Sequence, residues 1–311
     1  MRFSFNNFCA KRKVMINSKN NLYLLLPDES GDIMLKELSL LCTIWGFNFV
    51  VMKVANSYFA PELFVTYRFL SGAAVLLSLA FFVKLPTPPK KYWLWIILVG
   101  ALQIAYGSVA LQICFNYLSA GMTAMLNYTM PIWVTILARI FLDEKLTRQK
   151  IFGVALSITG VFLLMNGDIG GNFFAIPLGL SAAFSWAVAN IIMKIKFQGF
   201  NLISLTTWQM TAGAIMLAIY TALFVDTSAN WTLTAAACVA YNGILASALA
   251  FFLWIYILNH MQASKASVAV LGVPVVGVTA GIICLGEPLT LIMLAAMAMI
   301  LSGIVLVQIS K

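Results

Sequence analysis

The 311-residue chain is 62% hydrophobic and only 9% charged, with a mean hydropathy of +0.96 and a formal net charge of +9. Soluble domains carry roughly 25% charged residues, so this composition excludes an ordinary soluble fold and describes a polytopic membrane protein. Its apolar runs approach about 20 residues instead of alternating over about ten, which favours helices over a β-barrel as the way to satisfy the backbone in lipid.

Residues 1–35 differ from the rest. Lys11, Arg12 and Lys13 cluster there, and the longest apolar run, Leu22 to Leu26, is too short for the core of a cleavable signal. Two readings stay open: a short cytoplasmic tail, or a misassigned start with translation beginning at Met34. From there the chain predicts ten spans: Leu38–Ala55, Leu63–Val83, Trp93–Leu118, Gly121–Leu142, Ile151–Met165, Phe173–Ile195, Leu202–Phe224, Leu233–Leu258, Val268–Leu285 and Leu289–Ile309.

These spans are written twice. Trp45, Met52, Lys53, Thr66 and Gly72 recur as Trp186, Met193, Lys194, Thr207 and Gly213, each displaced by 141 positions. Asn116, Ala120, Pro131, Glu144, Leu146 and Gly160 return as Asn259, Ala263, Pro274, Glu287, Leu289 and Gly303, displaced by 143. Residues 36–167 and 172–309 are therefore read as two repeats of five helices. Five is odd, so the second repeat enters the membrane from the opposite side, and the halves are expected to be inverted copies. With a cytoplasmic N-terminus, Lys84, Lys90, Lys91, Arg139, Lys145, Arg148 and Lys150 fall on the inside, as the positive-inside rule requires, and the C-terminus is cytoplasmic too. This asymmetry accounts for the net charge, which argues for an anionic inner leaflet and against nucleic acid as a partner. The five cysteines are scattered without any CxxC, so neither a disulfide framework nor a metal site is expected.

Pro131 and Pro274 fall inside the fourth and ninth spans. Each removes a backbone donor and frees the carbonyl four residues earlier, at Asn127 and Val270. Such breaks are tolerated where they line a cavity, although a packed kink would look the same in sequence. Trp45 shares a helix face with Asn48, and Trp186 with Asn190. At 1.5 Å per residue both tryptophans lie about 10 to 14 Å along their helices, too deep for an interfacial belt. Gln103, Tyr106, Asn127, Tyr128, Tyr241 and Asn242 are further polar groups at depth. All ten are candidates to bind substrate, with helix-to-helix hydrogen bonding the competing explanation. Arg68 is a basic residue well inside a span, and its repeat counterpart is the neutral Gln209. It is a candidate for gating, or for holding a substrate carboxylate. Glu144 and Glu287 close the fourth and ninth spans just before Thr147 and Thr290, positions suited to helix N-caps, and are read as hinges. Gly153, Ser157, Gly160, Ser302 and Gly303 are small residues suited to close helix contact.

Ile44-Trp45-Gly46-Phe47-Asn48-Phe49 with Lys53, Arg68 in the second span, Leu142-Asp143-Glu144-Lys145-Leu146-Thr147 and Leu285-Gly286-Glu287-Pro288-Leu289-Thr290 resemble the EamA family of the drug/metabolite transporter superfamily over about residues 36 to 309. The resemblance implies an all-α membrane protein of ten transmembrane helices in two inverted five-helix repeats. It also implies a central cavity lined by the first, third, fourth, sixth, eighth and ninth spans. Across Trp45 to Lys53, Phe184 to Asn190 and Pro274 to Gly277 the chain is most similar to exporters of cysteine-pathway metabolites.

Chemistry for an enzyme is missing from the sequence: His260 is the lone histidine, and neither HExxH nor paired intramembrane carboxylates occur. A receptor or sensor would normally bring a soluble output domain. No Asp or Glu lies at mid-depth, so proton coupling would have to use Glu62, Glu144 or Glu287. The expected function is therefore a permease in the cell's inner membrane that exports amino acids or their derivatives by alternating access. The alternative is a multidrug or aromatic-metabolite exporter of the same fold. Its expected partners are a small-molecule substrate and the lipid bilayer, with no cofactor and with a homodimer left open.

Overall fold

The computed structural model describes residues 31–114, 117, 126–164, 174–225, 228–285 and 290–310. In chain order the helices are α1 (Gly31–Ala55), α2 (Pro61–Phe82), α3 (Lys90–Cys114), α4 (Met130–Phe141), α5 (Arg148–Leu164), α6 (Ala175–Lys196), α7 (Leu202–Phe224), α8 (Leu233–His260), α9 (Ala263–Ala269), α10 (Gly272–Leu285) and α11 (Leu291–Ile309). Six of them, α1, α2, α3, α6, α7 and α8, are long and apolar enough to cross a bilayer. Met130–Phe141, Ala263–Gly277 and Leu294–Val307 are apolar but shorter. The chain is thus an all-helical, multi-pass membrane protein, with six clear spans against the ten expected. Part of the fourth expected span, together with Asn116, Ala120 and Glu287, lies outside the described residues.

Local chemistry explains where helices begin. Asn201 and Thr232 accept a hydrogen bond from the backbone N–H three residues on, at 2.9 and 3.1 Å, and cap α7 and α8. Thr147 does the same for α5 through the N–H of Lys150 at 3.1 Å, as its position suggested. Along the spans, hydroxyls of Thr66, Thr135, Thr206 and Thr207 donate to the carbonyl one turn back, which leaves their faces effectively apolar. The outer faces stay hydrophobic where no helix covers them: Phe81, Leu233 and Leu291 are about 80% exposed or more, an arrangement suited to lipid and costly in water.

Two long helices are irregular at matching places. α3 passes through a π-helical segment at Gly100–Tyr106, and α8 through one at Tyr241–Leu249; the starts are again 141 positions apart. The fourth and ninth expected spans are divided. Chain at Tyr128–Thr129 precedes α4, and chain at Val270–Leu271 separates α9 from α10. The prolines therefore do not kink continuous helices. Pro131 and Pro274 stand in the first turn of α4 and α10, where a missing N–H costs nothing, and the breaks are closed by short bonds from Ile132 to Thr129 (2.9 Å) and Val273 to Val270 (2.9 Å). The ninth expected span also starts earlier, at Ala263 rather than Val268, for a reason given by Glu144 below.

Close approach is bought with small residues. A Cβ on Gly303 would lie 2.5 Å from the Gly153 carbonyl, and one on Gly160 would lie 2.8 Å from that of Ala296, so α5 and α11 touch backbone to backbone. Ser157 Oγ adds a 3.3 Å bond to the Ile300 carbonyl. Gly303→Val is expected to lower stability by about 1–3 kcal/mol through overpacking, whereas Ser302→Ala on the exposed face leaves it unchanged, read by thermal unfolding of the purified protein.

Candidate functional site

The site grows from the two tryptophans. Trp45 on α1 and Trp186 on α6 meet edge to face with ring centroids 6.1 Å apart, so side chains separated by 141 positions in sequence are neighbours in space. Phe251 packs against both, at 6.0 and 5.6 Å, and Trp254 lies 6.2 Å from Trp45. The Trp45 indole N–H donates to the Ala246 carbonyl at 3.0 Å, within the π-helical segment of α8. That wide turn exposes carbonyls that a regular helix would spend on itself.

Beside these rings is a cavity of about 160 Å³, the scale of a site that holds a benzene-sized body. Trp45, Asn48 and Met52 line it from α1; Val65, Arg68 and Phe69 from α2; Ser108 and Gln112 from α3. Asn127, Tyr128 and Pro131 contribute from the break before α4, and Ser267, Val270 and Leu271 from the break after α9. Both interrupted helices thus open onto the same space.

Seven of the predicted residues meet here: Trp45, Asn48, Asn127, Tyr128, Trp186, Pro131 and Arg68. Others lie elsewhere. Asn190 is fully buried behind the wall, where its Oδ1 accepts from Trp254 Nε1 at 3.0 Å and from Gln103 Nε2 at 3.4 Å. Gln103 in turn accepts from Gln209 at 3.4 Å, so this amide set joins α3, α6, α7 and α8. Tyr106 is 46% exposed and pairs with Ser181 at 2.6 Å; Tyr241 donates to the Ile44 carbonyl at 2.9 Å; Asn242 donates to the Cys238 carbonyl at 3.2 Å. Pro274, though buried, stands outside the lining.

The second span was not among the expected walls, yet it supplies Arg68. Gly72 explains its reach: a Cβ there would stand 2.9 Å from Ser247 Cβ and 3.0 Å from the Gly243 carbonyl, so α2 and α8 approach closely one turn from Arg68. Its Nε donates to Ser247 Oγ at 2.9 Å and its Nη2 to the Ala246 carbonyl at 3.2 Å. Gln112 and Ser108 were also missed. Nine residues separate Gln112 from Gln103, which puts them on opposite faces of a straight helix, and the π-helical turn between them alters that register again. Asn48 and Gln112 are 5% and 2% exposed, and neither Asn48 Oδ1 nor Gln112 Nε2 has a hydrogen-bond partner among the described residues.

Glu144, just past α4, is bonded to the start of α9. Its carboxylate accepts from the backbone N–H of Ala263 at 2.7 Å, from the Ser264 N–H at 3.4 Å and from the Ser264 hydroxyl, which caps α9 from the other half of the chain. Lys150, itself buried, bonds Glu144 (3.5 Å), Ser264 (2.7 Å) and Gln262 (3.1 Å). Asp143, at a φ of 53°, turns the chain out of α4 and into this contact. Glu144, read from the sequence as a hinge beside the Thr147 cap, thus bonds across the molecule and explains why α9 begins at Ala263.

A sequence model of the EamA-like transporter family matches the chain twice, over residues 32–166 and 173–309. The chain belongs to the EamA-like transporter family. It is 31% identical over 268 residues to the uncharacterized transporter YoaV of Bacillus subtilis, covering 84% of this chain and 91% of that one. It is 29% identical over 281 residues to a protein of Salmonella typhimurium named "probable amino-acid metabolite efflux pump", covering 85% and 91%. One solved crystal structure shares the fold at a TM-score of 0.76 and 16% identity, over 89% of this chain and 96% of its own. The chain is accordingly a membrane transporter, and the Bacillus and Salmonella relatives are called a transporter and a probable efflux pump.

The two paired asparagines separate function from stability. Asn190→Leu strands the buried Trp254 indole N–H and is expected to cost about 1–3 kcal/mol. Asn48→Leu removes an amide whose oxygen is unpaired and is expected to stay within about 0.5 kcal/mol of the wild type. Denaturant unfolding in detergent measures both.

Proposed function

We propose that this transporter exports amino acids or small amino-acid derivatives across the cell's inner membrane by alternating access. In this reading ten transmembrane helices form two inverted five-helix repeats, 36–167 and 172–309, with both termini cytoplasmic. The observation that carries it is the joint construction of the cavity: Trp45 and Trp186, equivalent positions of the two halves, touch at its wall. Inverted halves that meet at a shared site can rock against each other so that the site faces first one side and then the other. Matching π-helical segments, matching breaks and the two-fold family match support the repeat reading.

Size and lining favour small solutes. A cavity of about 160 Å³ suits a body of amino-acid size and is well below the roughly 300–1,000 Å³ typical of drug-sized ligands. Five aromatic residues on the wall, Trp45, Phe69, Tyr128, Trp186 and Phe251, keep an aromatic metabolite as the second reading. The contact from Glu144 and Lys150 to the start of α9 joins the halves at one end and would part when that end opens. The name of the Salmonella relative, an amino-acid metabolite efflux pump, agrees with the substrate class.

Counterflow in proteoliposomes tests this. Vesicles preloaded with unlabelled cysteine, O-acetylserine, threonine, an aromatic amino acid or a quaternary-ammonium drug are offered the labelled compound. Exchange of an amino-acid class is expected, reduced at least about tenfold by Asn48→Leu. Absence of exchange for every amino acid and derivative, with folded protein, would overturn the reading.

A further inference from the structure

Arg68 presents a cation to the cavity without a carboxylate to balance it. Among the described lining residues it is the one charged group, and no acidic side chain lies within ion-pairing distance of it among the described residues. A guanidinium carries five N–H donors. Two are committed, Nε to Ser247 and Nη2 to the Ala246 carbonyl, and both acceptors come from the π-helical segment of α8. These bonds fix the plane of the group, with Phe69 beneath it at 5.0 Å. The Nη1 pair and one Nη2 hydrogen are uncommitted among the described residues.

An isolated charge at depth is expensive, and a site that keeps one supplies its counter-ion in some other way. Two further polar side chains on the same lining each hold a polar atom without a partner among the described residues. Gln112 Nε2, a donor, and Asn48 Oδ1, an acceptor, are both more than nine-tenths buried and lack partners. An unpaired donor on the same lining as a cation suits an anion, and an unpaired acceptor there suits an ammonium. The rest of the wall is mostly apolar and aromatic, with further polar groups from Ser108, Asn127, Tyr128 and Ser267.

We propose that Arg68 is the carboxylate anchor of the cavity, with Gln112 assisting, and that the preferred solute is a monocarboxylate with a small apolar body, including zwitterionic amino acids whose ammonium takes Asn48 Oδ1. The proposal rests on the reading of this cavity as the transport site and deepens it by naming the substrate class. Planar fork geometry gives Arg an advantage over Lys here, since two parallel N–H···O bonds orient the carboxylate as well as attract it.

Binding to the purified full-length protein in detergent provides the test, read as ligand-induced rise in thermal unfolding temperature. The probes are isovalerate against isovaleramide, and leucine against leucinamide, which share a body and differ in the carboxylate. The wild type is expected to need at least about tenfold more amide than acid for the same rise. Arg68→Gln should erase that difference, and Arg68→Lys should retain only part of it. Equal responses to acid and amide in the wild type, or no response to either acid, would overturn the assignment, as would full discrimination surviving in Arg68→Gln. The wild-type and Arg68→Lys comparisons decide the matter even if Arg68→Gln does not fold. None of these readouts involves movement across a bilayer, so they fail independently of the counterflow result.

Discussion

A backbone held in an apolar medium must satisfy its own hydrogen bonds, and the cavity is lined at both helix breaks and by two side chains, Trp45 and Arg68, tied to the irregular turn of α8. The π-helical segments at Gly100–Tyr106 and Tyr241–Leu249 and the breaks at Tyr128–Thr129 and Val270–Leu271 are the places where the regular ladder is interrupted. Each needs outside help or a local substitute bond. The Ala246 carbonyl receives both Trp45 and Arg68, and the breaks are closed by bonds between residues three apart. One wall of the site is thus held by donors that the irregular backbone itself requires.

This dependence explains why position and polarity do not coincide. Asn190, Gln103 and Gln209 bond one another and Trp254 and bind helices together, with Gln209 Oε1 unpartnered among the described residues. Asn48, Gln112 and Arg68 have polar capacity left over, and they face the cavity. The apolar outer faces complete the picture, since lipid supplies no competing partners.

Much of the architecture was legible in the sequence because hydrophobic run length and repeat spacing are written directly in it. The helical class, the ends of α2, α7 and α8 to within a few residues, and the correspondence of Trp45 with Trp186 all follow from those two signals. The π-helical segments were not legible: Gly100–Tyr106 and Tyr241–Leu249 contain no residue type that demands a wide turn. Gln112 was overlooked on that helix, and Tyr106, placed among the candidates, points to Ser181 instead. Glu144 illustrates a different gap. Its place just before the Thr147 cap suggested a hinge and gave no sign of partners 119 and 120 positions away, a pairing that only the folded chain can make. The bonds that orient Arg68 were hidden by the same kind of distance, because Ser247 is 179 positions away.

The central claim is that a solute site built between the two halves faces each side of the membrane in turn. Accessibility of a single cysteine measures this most directly. Ser108→Cys, in a chain whose five native cysteines are replaced, places a thiol in the cavity lining without disturbing the aromatic wall. A membrane-impermeant thiol reagent is applied to right-side-out and inside-out vesicles, with and without the solute that exchanges best. The account predicts labelling from both faces, slowed by the solute in each case. Labelling from one face alone, or labelling that the solute never slows, would contradict it.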